Sequence, residues 1–491
     1  MSQVKIGWSE VNITPKEKIS LAGQFFERIS DEVESELYAV AMAVESNGEQ
    51  MIICGVDVVS VATNLHEAVK DRVSAATGID RSKIITSAIH THTSYLYDRG
   101  GGINAKSYLQ KALPEDMKYT PLVSGEKGMA PDRALEVLIN GISEACINAW
   151  NNRDDAYYKN AFGRVAVGMC RRVCYDDGSA KMWGDTNHAN FTALEGGNDS
   201  GMELIFTYDK NKKLKGIVAN IACPSQVVEH RSFISSDYWG KVRENIKKKY
   251  GEDVAVLGLC SAAGDQCPRD MIRWVNPETP IDDPNIKREV YIERRADPSM
   301  FDISGLRLVG KRISNEIISV FEELDGSLES EAVLIHETLD VTMPLRKVTI
   351  AEYNHAKEKI DDFIAKNRGK KISFEENAAL HVYSGTITRY ERQKTESTYQ
   401  DEIHIVRFGD IAIATNPYEL FLDYGNQIRA RSLAKQTFLI QLSCGSRGYL
   451  PTEKAEKGSH YSAYVSSGHT GHEGGNLLVA TTLDHINKMF K

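Results

Sequence analysis

Residues 82–97 read SKIITSAIHTHTSYLY. The first half, KIITSAI at 83–89, is a β-branched, apolar run with the length of a buried strand. It then breaks into His90 and His92, one residue apart. Side chains two apart on an extended chain project to the same side, so both imidazoles can address one centre. Two imidazoles at a buried strand end are costly unless partnered. The pair fits a hydrogen-bonded loop or a metal shell, and short metal-type motifs also arise by chance.

Working outward, the same kind of run recurs: QMIICGVDVVSV (50–61), KGIVANIA (215–222), DVAVLGL (253–259), DIAIAT (410–415) and TFLIQL (437–442). Helical patterns lie between them: NLHEAVKDRVSAATG (64–78), DRALEVLINGISEACINAW (132–150), SGLRLVGKRISNEIISVFEEL (304–324) and ELFLDYGNQIRARSL (419–433). This alternation predicts an α/β fold with mixed β-sheets covered by helices. The length, 491 residues, allows roughly two to four domains, although a large α/β unit can span the whole of 1–491. Two further helical patterns, near 349–367 and 373–391, predict a helical lid or peripheral subdomain over 345–395. The Pro- and Asp-rich stretch 268–300 reads as an excursion loop.

Composition bounds the function. The chain has 491 residues, 42% hydrophobic and 26% charged, with a formal net charge of -9. That balance gives no electrostatic footprint for nucleic acid, and the short lysine runs read as solvated surface. No stretch approaches the roughly 18–20 apolar residues of a membrane span. The opening MSQVKIGWSEVNITP lacks the basic-then-apolar pattern of an export signal. A cytoplasmic protein with eight reduced cysteines is the expectation.

Polar clusters follow five of the strands: His90 and His92; Cys223, His230 and Asp237; Asp265 and Cys267; Glu419, in the first turn of a predicted helix; and Tyr449, His460 and Tyr461. If the strands share one sheet and one direction, the clusters gather at the carboxyl edge, where open α/β sheets bind ligands. Imidazole, thiolate and carboxylate are zinc donors, and a catalytic site leaves one position for water.

Ordered motifs along nearly the whole chain resemble the catalytic domain of the neutral/alkaline ceramidase family. They are GWSEVNITP, LYAVAMAVESNGEQMIICGVD, SAIHTHTS, CPSQVVEHRSFISSD, AAGDQCPRD and NPYELFLDYGNQIR, followed by the spacing of Tyr449 and Tyr461. The resemblance implies one zinc per chain, held by His90, the residue at 223, Glu419 and Tyr449. It places His92, Arg171 and Tyr461 around the scissile carbonyl of an amide. The chain departs from the family pattern in carrying Cys223 where a second zinc histidine is expected, with His230 as the alternative ligand. Cys267 stands in place of an active-site serine, and THTSYLYDRGGG replaces the glycine-rich turn. A single catalytic domain over 1–491, without the family's additional C-terminal β-sandwich, is the expectation.

The implied activity is zinc-dependent hydrolysis of an N-acyl bond on a soluble small molecule, with no membrane or nucleic-acid partner. One rival makes Cys267 the nucleophile of a cysteine amidase. Another is a ligand-binding homologue without catalysis. Of the remaining polar residues, Asp265 is expected to orient its neighbours. His469, His472 and Glu473 offer a second possible metal cluster, but the flanking glycines argue against a helical face. His469 and His188 are expected to contact substrate, and His472 to lie on a surface loop.

Overall fold

The β-branched runs form strands because both of their faces are covered, as their unbroken apolar character requires. The computed structural model describes residues 3–99, 108–120, 128–275, 295–296 and 302–491. In chain order its principal elements begin with β1 (Lys5–Asn12), β2 (Tyr38–Ser46), β3 (Glu49–Val56), α1 (Thr63–Thr77), β4 (Ile84–Ala88), α2 (Pro131–Asn151) and β5 (Asp154–Arg164). Next come β6 (Gly201–Asp209), β7 (Leu214–Ile221), α3 (Tyr238–Tyr250), β8 (Ala255–Cys260), α4 (Asp302–Glu322) and β9 (Leu334–Pro344). The last are α5 (Ile350–Lys366), α6 (Phe374–Arg392), β10 (Thr398–Phe408), β11 (Ile411–Thr415), α7 (Leu422–Arg431), β12 (Gln436–Ile440) and α8 (His472–Met489).

Among the described residues, eight strands join in the order β8-β7-β6-β5-β1-β2-β3-β4, and four more in the order β9-β10-β11-β12. The pairs β3–β4, β7–β8 and β11–β12 are parallel, and the other pairs within these two sheets are antiparallel. The larger sheet bends between β1 and β5, where pairing is limited to Lys5↔Asp155 and Ile6↔Asp154. The bend brings β8 across β3: a Cβ on Gly55 would stand 3.0 Å from the Gly258 carbonyl oxygen and 2.6 Å from Leu257 Cδ1, so a side chain there would crowd the crossing.

The period-2 alternation sorts each strand between two cores. On β2, Ala39, Ala41 and Ala43 pack under α1 and α2, while Val40, Met42 and Val44 face the second sheet. There they meet Phe408, Ile411, Ile413, Phe438 and Ile440. A third core lies between β6–β8 and the helices α3 and α4.

Helices α5 and α6 each begin with a capping box, Thr349 with Glu352 and Ser373 with Glu376. Their apolar faces share a small separate core with Leu109, Leu113 and Met117. Most of the 268–300 stretch and the glycines at 100–102 lie outside the described residues.

One sequence expectation is corrected. The five clusters do not share a single sheet with a single strand direction. His90, Cys223 and Cys267 follow strands of the bent sheet, whereas Glu419 and Tyr449 follow β11 and β12 of the other. They approach because the two sheets pack face to face, not because five strands run side by side.

Candidate active site

The chain leaves β4 and at once adopts φ = 70° at His90, a left-handed conformation rare for a residue with a Cβ. The expected plain extension is therefore interrupted, yet the two rings still converge, with His90 Nε2 3.3 Å from His92 Nε2. His90 Nδ1 donates to the Val59 carbonyl at 2.6 Å, which leaves Nε2 unprotonated in the neutral ring. That bare nitrogen faces Glu419 Oε2 at 3.5 Å. Burial pulls the His90 pKa down to about 4, against the attraction of Glu419.

His92 is held from both sides. Gln226 turns its carbonyl toward Arg171 Nη1 (3.1 Å), so its amide nitrogen donates to His92 Nε2 at 2.8 Å. On the other side His92 Nδ1 stands 3.3 Å from Glu229 Oε2. Burial, with the cations Arg28 and Arg171 near, holds the His92 pKa well below its ordinary value.

Glu419 is not in the first turn of a helix. It belongs to a two-residue strand, Glu419–Leu420, paired in parallel with Tyr449–Leu450, and α7 begins only at Leu422. The register sets Glu419 directly opposite Tyr449. Tyr449 and Tyr461 hydroxyls lie 3.3 Å apart, and Arg171 Nη2 donates to Tyr449 at 3.4 Å. Burial, then Glu419, pushes the Tyr461 phenol up to about 12. Burial acts to lower the Arg171 pKa but is outweighed by Tyr449, Cys267, Glu419 and Tyr461, so the guanidinium stays charged. The Asp265 carbonyl accepts the Arg171 backbone N–H at 2.9 Å, and the Asp265 carboxylate accepts that of Leu422 at 2.9 Å. Asp265 thus orients two elements of the site.

His90, His92, Glu419, Tyr449 and Tyr461 line one cavity of about 380 Å³. Arg389, Arg447 and His469 form another part of its wall. Burial, with Arg389, Arg447 and Arg392 around it, lowers the His469 pKa to about 3. Tyr461 also borders a second cleft of about 1240 Å³, walled by Phe25, Trp183, Val382, Tyr383 and Val465.

The two cysteines stand back from this cavity. Cys223 Sγ faces the Val167 and Pro224 carbonyls at 3.5 and 3.6 Å in the apolar core beneath β7, and burial pushes its thiol well above the ordinary range. Cys267 is fully buried, directs Sγ at the Arg269 carbonyl (3.2 Å), and burial pushes it up to about 11. His230 lies 3.7 Å from Asp302. His188 packs on Tyr175, and His472 pairs with Glu456 in the first turn of α8.

Sequence reading missed a second cluster. His66, Glu402, His404 and Cys444 bring four ligand atoms within 4.8 Å of one another and can hold a metal ion; among the described residues, His90, Cys223 and Glu419 do not make such a group. The available signal was EIH at 402–404, a carboxylate and an imidazole two apart on an apolar strand.

The class that this architecture defines is the neutral-ceramidase-like α/β fold. A structure described as neutral ceramidase from Pseudomonas aeruginosa superposes with a TM-score of 0.65 at 14% identity, over 100% of this chain and 75% of that chain. Another, described as a ceramidase complexed with C2, gives a TM-score of 0.65 at 13% identity over the same shares. No family model and no curated protein matches the sequence. At these identities the likeness is one of fold. Among the described residues, no helix is long and apolar enough to cross a membrane.

Proposed function

We propose that the protein is a zinc-dependent hydrolase that cleaves the amide bond of a small N-acyl compound. The observation that carries this reading is the unprotonated His90 Nε2 facing the Glu419 carboxylate, with Tyr449 in register beside it. A lone pair directed at an anion calls for a cation between them, and nitrogen and oxygen donors suit zinc. His90, Glu419 and Tyr449 would hold the ion. Cys223 joins them only if its side chain turns away from the Val167 and Pro224 carbonyls. When bound, zinc supplies Lewis-acid activation of water at neutral pH.

The chain's own residues do the rest. Arg171 and the Tyr461 hydroxyl sit where they can stabilise an oxyanion on the scissile carbonyl. Losing one such donor costs roughly 10²–10³ in rate. His92 starts neutral, accepts a proton as water attacks, and passes it to the leaving amine. Glu229 stabilises the imidazolium formed in between. Cys267, buried and raised to about 11, holds no thiolate to act as a nucleophile.

The surroundings suggest the shape of the substrate. The apolar cleft beyond Tyr461 suits an acyl group. Arg389 and Arg447, the latter already paired with Asp401, line the smaller cavity and suit a carboxylate or another anion on the amine side. The test is metal analysis with a screen of N-acyl amino acids and N-acyl amino sugars. Glu419→Gln is expected to lose the ion at this site and to lower turnover at least 10²-fold. Full activity in the variant, or no hydrolysis by zinc-loaded wild type, overturns the proposal.

A further inference from the structure

Four residues upstream of His90, on β4, Thr86 touches the second cluster. His66 comes from α1, Glu402 and His404 from one face of β10, and Cys444 from the loop after β12 with φ = 59°. Both imidazoles direct Nε2 at one carboxylate oxygen, Glu402 Oε1, His66 at 2.8 Å and His404 at 3.0 Å. With the Cys444 sulfur, all four ligand atoms fall within 4.8 Å of one another. Zinc bonds of roughly 2.0–2.3 Å put ligand atoms about 3.3–3.8 Å apart at the corners of a tetrahedron, so little movement closes such a shell.

Hydrogen-bond polarity also calls for a positive charge between His404 and Glu402. His336 Nδ1 donates to the Gln50 carbonyl (3.1 Å), so His336 Nε2 is an acceptor, and it meets His404 Nδ1 at 2.9 Å. The Thr338 hydroxyl spends its hydrogen on the Ser82 carbonyl, so its oxygen also accepts from His404 Nδ1, at 3.1 Å. Both neighbours require the His404 proton on Nδ1. The neutral ring then turns a bare Nε2 on the Glu402 carboxylate. Either a buried imidazolium or a metal ion resolves this.

The outer groups are those that fix metal ligands in orientation. Thr86 Oγ1 holds His66 Nδ1 at 2.8 Å, and Lys70 Nζ holds the other Glu402 oxygen at 2.6 Å. His66, His404 and Cys444 are buried, while the Glu402 side chain is 18% exposed.

We propose that His66, Glu402, His404 and Cys444 bind one zinc ion in a closed, four-ligand structural site, separate from the candidate active site. Two imidazoles, a thiolate and a carboxylate exclude calcium and magnesium as the preferred ion and leave no position open for substrate. The ion ties helix α1 and the second sheet together beside β4. Since the Cys444 N–H donates to the Thr86 carbonyl at 2.9 Å, the clamp fixes the strand that delivers His90.

The experiment is zinc analysis and zinc-edge X-ray absorption on the full-length protein, expressed with zinc and washed free of loose metal. Glu419→Gln is expected to retain one equivalent of zinc with one sulfur neighbour at about 2.3 Å. Cys223→Ala is expected to keep that sulfur signal, and Cys444→Ala to lose it. If Cys444→Ala does not fold, Glu419→Gln and Cys223→Ala still decide the matter. Zinc-free Glu419→Gln, or a zinc signal without sulfur, overturns the proposal and leaves a buried ion network. Loss of the sulfur signal in Cys223→Ala overturns it too, by assigning the thiolate to the other site.

Discussion

His90 is constrained twice, by a left-handed backbone and by a hydrogen bond from its own ring to Val59. Such backbone costs of order 1–3 kcal/mol and persists where the surroundings impose it, commonly at functional sites. The eight cysteines show the opposite case. Seven are buried and only Cys174 is partly open, and burial pushes Cys170 and Cys260 up to about 12 and Cys267 to about 11. An aromatic disulfide reagent should therefore label at most Cys174 within minutes in the native protein, with activity retained, and all eight thiols after denaturation. Rapid labelling of Cys267 with matching loss of turnover would reinstate the nucleophile reading. At this scale the apolar strand breaking into His90 and His92 made the histidine pair legible from the residues alone. Glu419 and the tyrosine pair entered as ligands and neighbours only through the resemblance, because a lone carboxylate or phenol after a strand carries no metal signal. It did not make the orientation of Cys223 legible: whether a sulfur faces a cavity or a carbonyl depends on χ1 and on the neighbouring strand.

Among the elements, the apolar strands and the helices were readable from period because that signal is local, whereas the 11-residue strands β5, β9 and β10, with their exposed polar positions, were not singled out. Thr349 with Glu352 and Ser373 with Glu376 mark two helix starts within four residues each. Glu419 was misplaced in a helix because its two-residue strand exists only by pairing with Tyr449 far along the chain. Helix α3 offers a test of capping. Asp237 accepts the backbone N–H groups of Tyr238 (2.8 Å) and Val228 (3.0 Å), yet burial raises its pKa from 3.8 to about 7. The folded state then binds this proton more tightly than the unfolded one. The resulting penalty is absent below pH about 4, grows as pH rises to about 7 and is complete above it, with a slope of at most about 1.4 kcal/mol per pH unit. Urea unfolding across this range should show wild-type stability falling with rising pH through this group. Asp237→Asn, which cannot ionise, should flatten that limb. An unchanged slope in the variant would assign the pH dependence elsewhere.

At the scale of the molecule, the candidate site draws His90 from the end of one sheet and Glu419 and Tyr449 from a two-residue strand pair that follows strands of the other, so it exists only while the two sheets pack together. An alternation pattern shows that strands are covered on both faces but not which sheet each joins. That is why one shared edge was expected where there are two. Phe408 is the place to test the dependence. It is fully buried between the sheets, with its ring centroid 4.3 Å from that of Tyr158. Phe408→Ala leaves a cavity in that interface and should cost about 3–5 kcal/mol. It touches none of the candidate ligands, so turnover per folded molecule at low temperature should stay near wild type. On heating, secondary structure and activity should be lost in one transition at a lower midpoint than wild type, followed in parallel by circular dichroism and residual hydrolysis. If activity vanished well below the loss of secondary structure, the sheets would be separable units and the site would depend on a looser interface than the packing around Phe408 implies.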